Sequence, residues 1–99
     1  MNLQSPVVAN NPDRQRYELR RGQAVLGIAS YRMDGDDTVV FTHTAVDPQE
    51  EGNGYGSQLA KGALDDARNS NRKVVAQCEF IARYIDTHPA YRDLLKQEQ

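Results

Sequence analysis

The chain reads TVVFTHTAVDPQEEGNGYGSQL from Thr38 to Leu59, a strand-like run that enters a glycine-rich turn and then a helix. Residues 38–46 are rich in β-branched side chains, which favour a strand. Pro48 ends the strand because it has no N–H group for a ladder. Glycines recur at positions 52, 54 and 56, where the backbone can turn tightly and come close to a ligand. The segment therefore predicts a strand that passes through a tight turn into a helix N-terminus.

Such a turn is a candidate anion site. The first N–H groups of a helix have no partner within the helix, and the helix dipole adds partial positive charge there. A phosphate group accepts hydrogen bonds from these N–H groups and is attracted by the partial positive charge. The glycine spacing differs from Gly-x-Gly-x-x-Gly and from the P-loop, which ends in Gly-Lys-Ser/Thr. On the residues alone, a tight β-to-α turn without a ligand is an equal alternative.

Periodicity on either side of the turn predicts the remaining elements. The expected strands are 15–21, 24–33, 38–46 and 73–78, and the expected helices are 56–71, 80–88 and 90–96. This order, β-β-β-α-β-α, predicts an α/β (α+β) fold whose mixed sheet combines an antiparallel β-meander with a β-α-β unit. Residues 1–14 are expected to form a flexible N-terminal tail, and residues 15–96 a single domain.

Alternation within residues 38–46 assigns their side chains to two faces of the sheet. One face is predicted to carry Val39, Phe41, His43 and Ala45. The other is predicted to carry Val40, Thr42, Thr44 and Val46.

Charge, hydropathy and the cysteine and histidine content exclude several classes of function. The 99 residues carry a formal charge of -2 with acids and bases mixed along the chain, which argues against a nucleic-acid partner. No apolar run approaches the length of a membrane helix, and the N-terminus lacks the apolar centre of a signal peptide. One cysteine and two histidines suit neither an internal disulfide nor a structural zinc site, so no metal is expected. The single cysteine and the absence of a signal peptide predict a cytoplasmic protein. A monomer or weak dimer is expected.

Four motifs together resemble the GNAT superfamily of acetyl-CoA-dependent N-acetyltransferases, and more closely a small single-domain subfamily. They are His43-Thr44, the glycine loop 51–56, Cys78-Glu79-Phe80-Ile81 with Tyr84-Ile85, and His88-Pro89-Ala90-Tyr91. The similarity runs from about Tyr17 to Leu95. The superfamily's loop pattern is Gln/Arg-x-x-Gly-x-Gly/Ala, and Glu51 departs from it because a carboxylate stands at the first position.

The resemblance implies a compact GNAT-like fold, acetyl-CoA as cofactor and an amine as acceptor, either a small molecule or a protein amine. It implies that backbone N–H groups of the loop hold the pyrophosphate and that the pantetheine arm runs between strands 38–46 and 73–78. The expected cofactor-binding residues are Val46, Gly52, Asn53, Gly54, Tyr55, Gly56, Ser57 and Tyr84. Core packing is the alternative for Tyr84, and a helix-start role without a ligand is the alternative for Asn53 and Ser57. A non-catalytic acyl-CoA-binding or sensing module is the alternative, and a partner-binding domain without a cofactor is a third possibility.

Two side chains are candidates for catalysis. Cys78 lies where the resemblance puts the thioester, and a thiolate there can take an acetyl group and pass it to an amine. The helix that follows Cys78 favours that thiolate. The alternatives are a small buried apolar residue and direct attack by the amine. His43 is a candidate general base for Cys78 or for the acceptor, or else a hydrogen-bonded strand histidine.

Overall fold

A computed structural model describes residues 5–96 of the chain. Its strands are β1 (Val7–Asn11), β2 (Arg16–Arg21), β3 (Ala24–Asp34), β4 (Thr38–Val46) and β5 (Lys73–Ala76), and its helices are α1 (Tyr55–Asn69) and α2 (Glu79–Thr87). Short 3-10 helices cover Pro12–Arg14, Pro48–Glu50 and Pro89–Leu94. The five strands form one sheet in chain order, antiparallel from β1 to β4 and parallel between β4 and β5. The mixed sheet that the sequence predicts is therefore confirmed.

The N-terminal segment departs from the prediction. Strand β1 pairs with β2 from Val7 to Asn11, and the side chain of Val8 lies against Gly62 of α1. The expected flexible tail is thus wrong for Val7–Asn11 and the 3-10 turn that follows, while residues 1–4 lie outside the described residues. The segment is too short and too polar to show a strand period, and it is ordered because the edge of β2 offers unpaired backbone groups.

One hydrophobic core lies between the helices and one face of the sheet, called here the helix-covered face. Helix α1 contributes a fully buried stripe at the positions that its 3.6-residue period predicts, namely Leu59, Ala60, Ala63, Leu64 and Ala67. Tyr17, Phe41 and Val74 belong to the same core from the sheet side. The last predicted helix, 90–96, is instead the 3-10 segment Pro89–Leu94, because these six residues are too few for a stable α-helix.

A β-bulge in β4 changes which side chains face the core. Tyr31 pairs with Phe41 and Ser30 pairs with His43, so Thr42 is an extra residue without a partner on β3. Side-chain alternation shifts by one residue at a bulge. Thr44 pairs with the buried Ala29 and lies on the helix-covered face, whereas His43 lies on the opposite face. The prediction that His43 shares a face with Phe41 is therefore wrong.

The parallel pairing of strands β4 and β5 is short. Their pairing runs only from Thr38 opposite Lys73 to Phe41 opposite Ala76. The backbone N–H groups of Gln77 and Cys78 both donate to the carbonyl oxygen of Phe41, at 3.0 and 2.9 Å. Strand β5 ends there while β4 continues to Val46, so residues 42–46 of β4 have no pairing with β5, and this unpaired edge beside Cys78 is called here the cleft between β4 and β5.

Candidate functional site

The glycine loop has the backbone shape that an anion site requires. Asp47 caps the short 3-10 turn, its Oδ1 accepting a hydrogen bond from the N–H of Gln49 at 3.0 Å. Gly52 and Gly54 then adopt φ angles of +90° and +75°, which strain any residue with a Cβ atom. Gly54 is the N-cap of α1 and provides no side-chain acceptor. The first N–H groups of α1 are therefore left without a capping side chain.

A cavity of about 280 Å³ opens beside these N–H groups. It is lined by residues of the loop and the start of α1, by Val46 at the end of β4 and by Phe80 of α2. Six of the eight predicted cofactor-binding residues line it, namely Val46, Gly52, Gly54, Tyr55, Gly56 and Ser57. A Cβ atom at Gly56 would lie 2.9 Å from Cζ of Phe80, so the glycine keeps this wall open.

The other two predicted cofactor residues, Asn53 and Tyr84, do not line this cavity. The side-chain amide of Asn53 donates to the carbonyl oxygen of Glu50 at 3.1 Å and so stabilises the loop from within. Tyr84 is buried in the core, where its ring stacks on His88 with centroids 3.8 Å apart. Burial raises the pKa of Tyr84. These contacts place the side chain of Asn53 within the loop and the ring of Tyr84 in the core, and their cofactor-binding roles stay predictions.

The charges around the cavity include a cation that the sequence pattern does not indicate. Glu50 and Glu51 both line the cavity. Nη2 of Arg21, at the end of β2, donates to the hydroxyl of Tyr55 at 2.6 Å and lies 3.6 Å from Oε1 of Glu50. Arg21 and Tyr55 are 34 positions apart in the chain, so no local motif joins them. Only the packing of the β2–β3 hairpin against the loop reveals the contact.

Cys78 lies at the apex of the cleft between β4 and β5. It is the N-cap of α2 and is 6% exposed. Its Sγ atom lies 3.2 Å from Oγ1 of Thr44, and either atom can be the donor. His43 is exposed on the opposite face of the sheet. The structure therefore brings Cys78 together with Thr44 and separates it from His43.

Two residues of this region were not assigned a role from the sequence. Thr44 was missed because simple alternation places it on the wrong face, and only the bulge at Thr42 corrects this. Phe80 belongs to a motif of the resemblance, but its place in the cavity wall depends on the packing of α2 against the start of α1.

Residues 5–96 contain neither a cluster of metal-ligating side chains nor a helix suited to span a membrane. No group of three or more His, Cys, Asp or Glu side chains in this range is arranged to hold a metal ion. None of the helices in the same range has both the length and the apolar character needed to cross a membrane.

The geometry fits the diphosphate of coenzyme A. Positions 52 and 54 need glycine conformations, a side chain at 56 would meet Phe80, and the residues at the start of α1, whose N–H groups lack a side-chain cap, line the cavity. The cleft between β4 and β5 begins next to this loop, because Val46 ends β4 and lines the cavity. A ligand with a diphosphate and a long arm matches both features.

Comparisons with known proteins point the same way. The sequence profile of the family described as GCN5-related N-acetyl-transferase matches residues 16–94. The solution structure of a GCN5-like candidate N-acetyltransferase from Staphylococcus aureus superposes with a TM-score of 0.68, at 22% identity, over 93% of this chain and 89% of that one. N-acetylglutamate synthase from Neisseria gonorrhoeae, in complex with coenzyme A and N-acetyl-glutamate, has a TM-score of 0.54 at 20% identity and covers 72% of this chain and 19% of its own.

These two structures support the fold, and no curated protein sequence matches the chain significantly. The family profile spans most of the chain, including β2 to β5 and both α-helices. It confirms the GNAT resemblance and, with it, the acetyl-CoA cofactor. The chain belongs to the GCN5-related N-acetyltransferase family of acetyl-CoA-dependent enzymes.

Proposed function

We propose that this protein transfers the acetyl group of acetyl-CoA to an amine and that the loop from Gly52 to Ser57 holds the cofactor's diphosphate. The observation that carries the proposal is the uncapped N-terminus of α1, which follows two positive-φ glycines. This N-terminus lies near the end of β4, the strand that borders the cleft. These features support a site in which the diphosphate lies at the loop and the cofactor's arm lies in the cleft, both next to β4.

Each part of the site has a defined task in this proposal. The N–H groups of the loop and of the first turn of α1 donate to phosphate oxygens, and the hydroxyl of Ser57 is a further donor. Val46 and Phe80 supply apolar walls that keep water from these hydrogen bonds. Acetyl-CoA supplies an activated acyl carbon, which is open to attack by a nucleophile.

Cys78 is the proposed nucleophile, and Thr44 is proposed to orient it. A hydroxyl 3.2 Å from the sulfur can stabilise the thiolate by donating a hydrogen bond. The position of Cys78 at the start of α2 adds the field of the helix dipole in the same sense. The alternative route is direct attack by the acceptor amine, in which case Cys78 only packs at the apex of the cleft.

His43 keeps a proposed role as a general base, but for the acceptor amine and not for Cys78. It is exposed on the face away from the thiol, where solvent and an incoming ammonium group can reach it. Removal of a proton from that ammonium group would make the amine nucleophilic. The identity of the acceptor, small molecule or protein amine, stays open to a panel assay.

The experiment that tests the function combines binding and turnover. A ligand at about 100 times its dissociation constant stabilises a protein by about 2.7 kcal/mol, which raises the melting temperature of a domain of this size by several degrees. We expect acetyl-CoA to give such a shift and an amine panel to release free coenzyme A thiol. Binding without turnover across the panel would favour the non-catalytic module, and folded protein without a shift would overturn the proposed site.

A control for the location of the site is Gly54→Glu. This change places a carboxylate at the start of α1, where the phosphate must approach, and we expect the thermal shift to disappear. A circular dichroism spectrum like that of the wild type would show that the variant still folds. An undiminished shift in the folded variant would show that the cofactor binds elsewhere.

A further inference from the structure

We propose that Arg21 is a positioning residue of the cofactor loop: it neutralises Glu50 and thereby allows a loop with carboxylates on its wall to accept a diphosphate. The inference rests on the proposed function, because it concerns the affinity of the same site for coenzyme A. It assigns a task to the β2–β3 hairpin, which lies outside the glycine loop in the sequence.

The local sequence creates the need for such a residue. From Asp47 to Leu59 the chain contains three acids, Asp47, Glu50 and Glu51, and no lysine or arginine. Glu50 and Glu51 line the cavity. The next basic residue along the chain, Lys61, already pairs with Asp65 at 3.0 Å. A cation that offsets these carboxylates must therefore come from another part of the fold.

Arg21 occupies the required place. Its Nη2 atom lies 3.6 Å from Oε1 of Glu50, and the same atom donates to the Tyr55 hydroxyl at 2.6 Å. Its guanidinium carbon is 5.8 Å from the centroid of the Tyr55 ring. The phenol thus holds the guanidinium beside Glu50, and Tyr55 itself is held because it is the first residue of α1.

The backbone of Arg21 is fixed as well. Arg21 pairs with Ala24 across the β2–β3 hairpin, and Gly22 makes the turn with a φ angle of +59°. Glu51 differs from Glu50, because no ion pair to Glu51 occurs within residues 5–96. Arg21 thus neutralises Glu50, and Glu51, which is unpaired within the same range, serves as the carboxylate with which Glu50 can be compared.

A double-mutant cycle on coenzyme A affinity, measured by isothermal titration calorimetry, tests this assignment. We expect Arg21→Ala to weaken binding about tenfold, the effect of one uncompensated carboxylate near a phosphate at a partly exposed site. We expect the same change in a Glu50→Gln background to weaken binding less than about twofold. We expect Arg21→Lys to retain most of the affinity, because it keeps the charge.

Two matched variants control for general charge and for folding. In a Glu51→Gln background, Arg21→Ala should still weaken binding about tenfold, because Glu51 is not its partner. Arg20→Ala removes the same charge one position earlier, where the side chain pairs with Glu18 at 3.1 Å, and should change the affinity less than about twofold. Unfolding curves of all variants separate a loss of fold from a loss of binding.

Steady-state kinetics distinguish this role from a merely structural one, because a general loss of structure would not change KM for acetyl-CoA selectively. Arg21→Ala should raise KM for acetyl-CoA about tenfold with little change in kcat, and should leave KM for S-acetyl-pantetheine, which lacks the diphosphate, unchanged. Equal losses in the wild-type and Glu50→Gln backgrounds, or no loss at all, would overturn the role of Arg21 while the proposed function stood. A folded wild-type protein that binds no coenzyme A would overturn both.

Discussion

The hydroxyl of Thr44 lies 3.2 Å from the sulfur of Cys78, across the cleft that opens where β4 and β5 part. The contact exists because Thr42 is an extra residue in β4, which turns Thr44 toward the core and His43 away from it. A thiol, a hydroxyl and the start of α2 thus meet beside the cleft proposed for the cofactor arm.

The first prediction concerns the route of acetyl transfer. Mixing the protein with acetyl-CoA should give an acetyl adduct in the intact mass spectrum, and Cys78→Ala should abolish it. Thr44→Val should slow adduct formation about tenfold, since a hydrogen bond to a charged group is worth about 1.5–3 kcal/mol. His43→Ala should slow it less than about twofold. An adduct that persists in Cys78→Ala would refute the covalent route.

The second prediction tests the packing of β1 on α1. A Cβ atom at Gly62 would lie 2.6 Å from Cβ of Val8. Alanine is the better helix former by about 1 kcal/mol, but overpacking costs about 1–3 kcal/mol, so Gly62→Ala should lower the free energy of unfolding. Val8→Gly removes the Cβ atom and both methyl groups that a side chain at 62 would meet, so it should lower the free energy of unfolding less in the Gly62→Ala background than in the wild type. Urea titrations of the four proteins would measure this, and purely additive effects would contradict the contact.

The third prediction separates backbone strain from side-chain contact in the loop. Gly54 has a φ angle of +75°, and nothing lies within 4 Å of a Cβ atom built there. Gly54→Ala should therefore lower the free energy of unfolding by about 1 kcal/mol through the left-handed backbone alone. Gly54→Asn should lower it less, because asparagine tolerates this conformation better. If both variants were as stable as the wild type in urea titrations, the loop would have a different backbone.

The fourth prediction concerns pH and Glu18. This carboxylate is 2% exposed and accepts hydrogen bonds from Arg16 at 2.8 Å and from Arg20 and Asn11 at 3.1 Å. Burial acts to raise its pKa, but the hydrogen bonds from Arg16 and Asn11 and the nearby arginine charges outweigh burial and hold the pKa below its ordinary value of 4.5.

The sign of the pH effect follows from this lowered pKa. As the pH falls, Glu18 is protonated in the unfolded chain before it is protonated in the folded one. Its stabilisation is therefore complete above an ordinary pKa of 4.5 and is lost as the pH falls through the folded value. Glu18→Gln should be less stable than the wild type at about pH 7, and the gap should narrow toward about pH 3. A gap that does not change with pH would show that the ionised carboxylate contributes nothing.

Much of the fold could be predicted from local pattern. The apolar stripe of α1 has the period of a helix over fifteen residues, and all five of its positions are buried. The bounds of β4 follow from its β-branched residues, which favour strands. The turn before α1 follows from its glycines, since only glycine adopts positive φ at little cost. These features depend on neighbours a few positions away.

The features that only the tertiary structure decided depend on groups far apart in the chain. The bulge at Thr42 is a property of the register between β3 and β4, so alternation within β4 alone assigned His43 to the wrong face. Strand β1 is ordered by the edge of β2, and Arg21 reaches Glu50 through the β2–β3 hairpin. The sequence alone thus determined most of the elements and the glycine-rich turn, because short-range sterics and hydrogen bonding specify them, and its motifs determined the family. Strand register and the packing of distant side chains decided which residues meet at the site, because those contacts form only when the whole sheet is assembled.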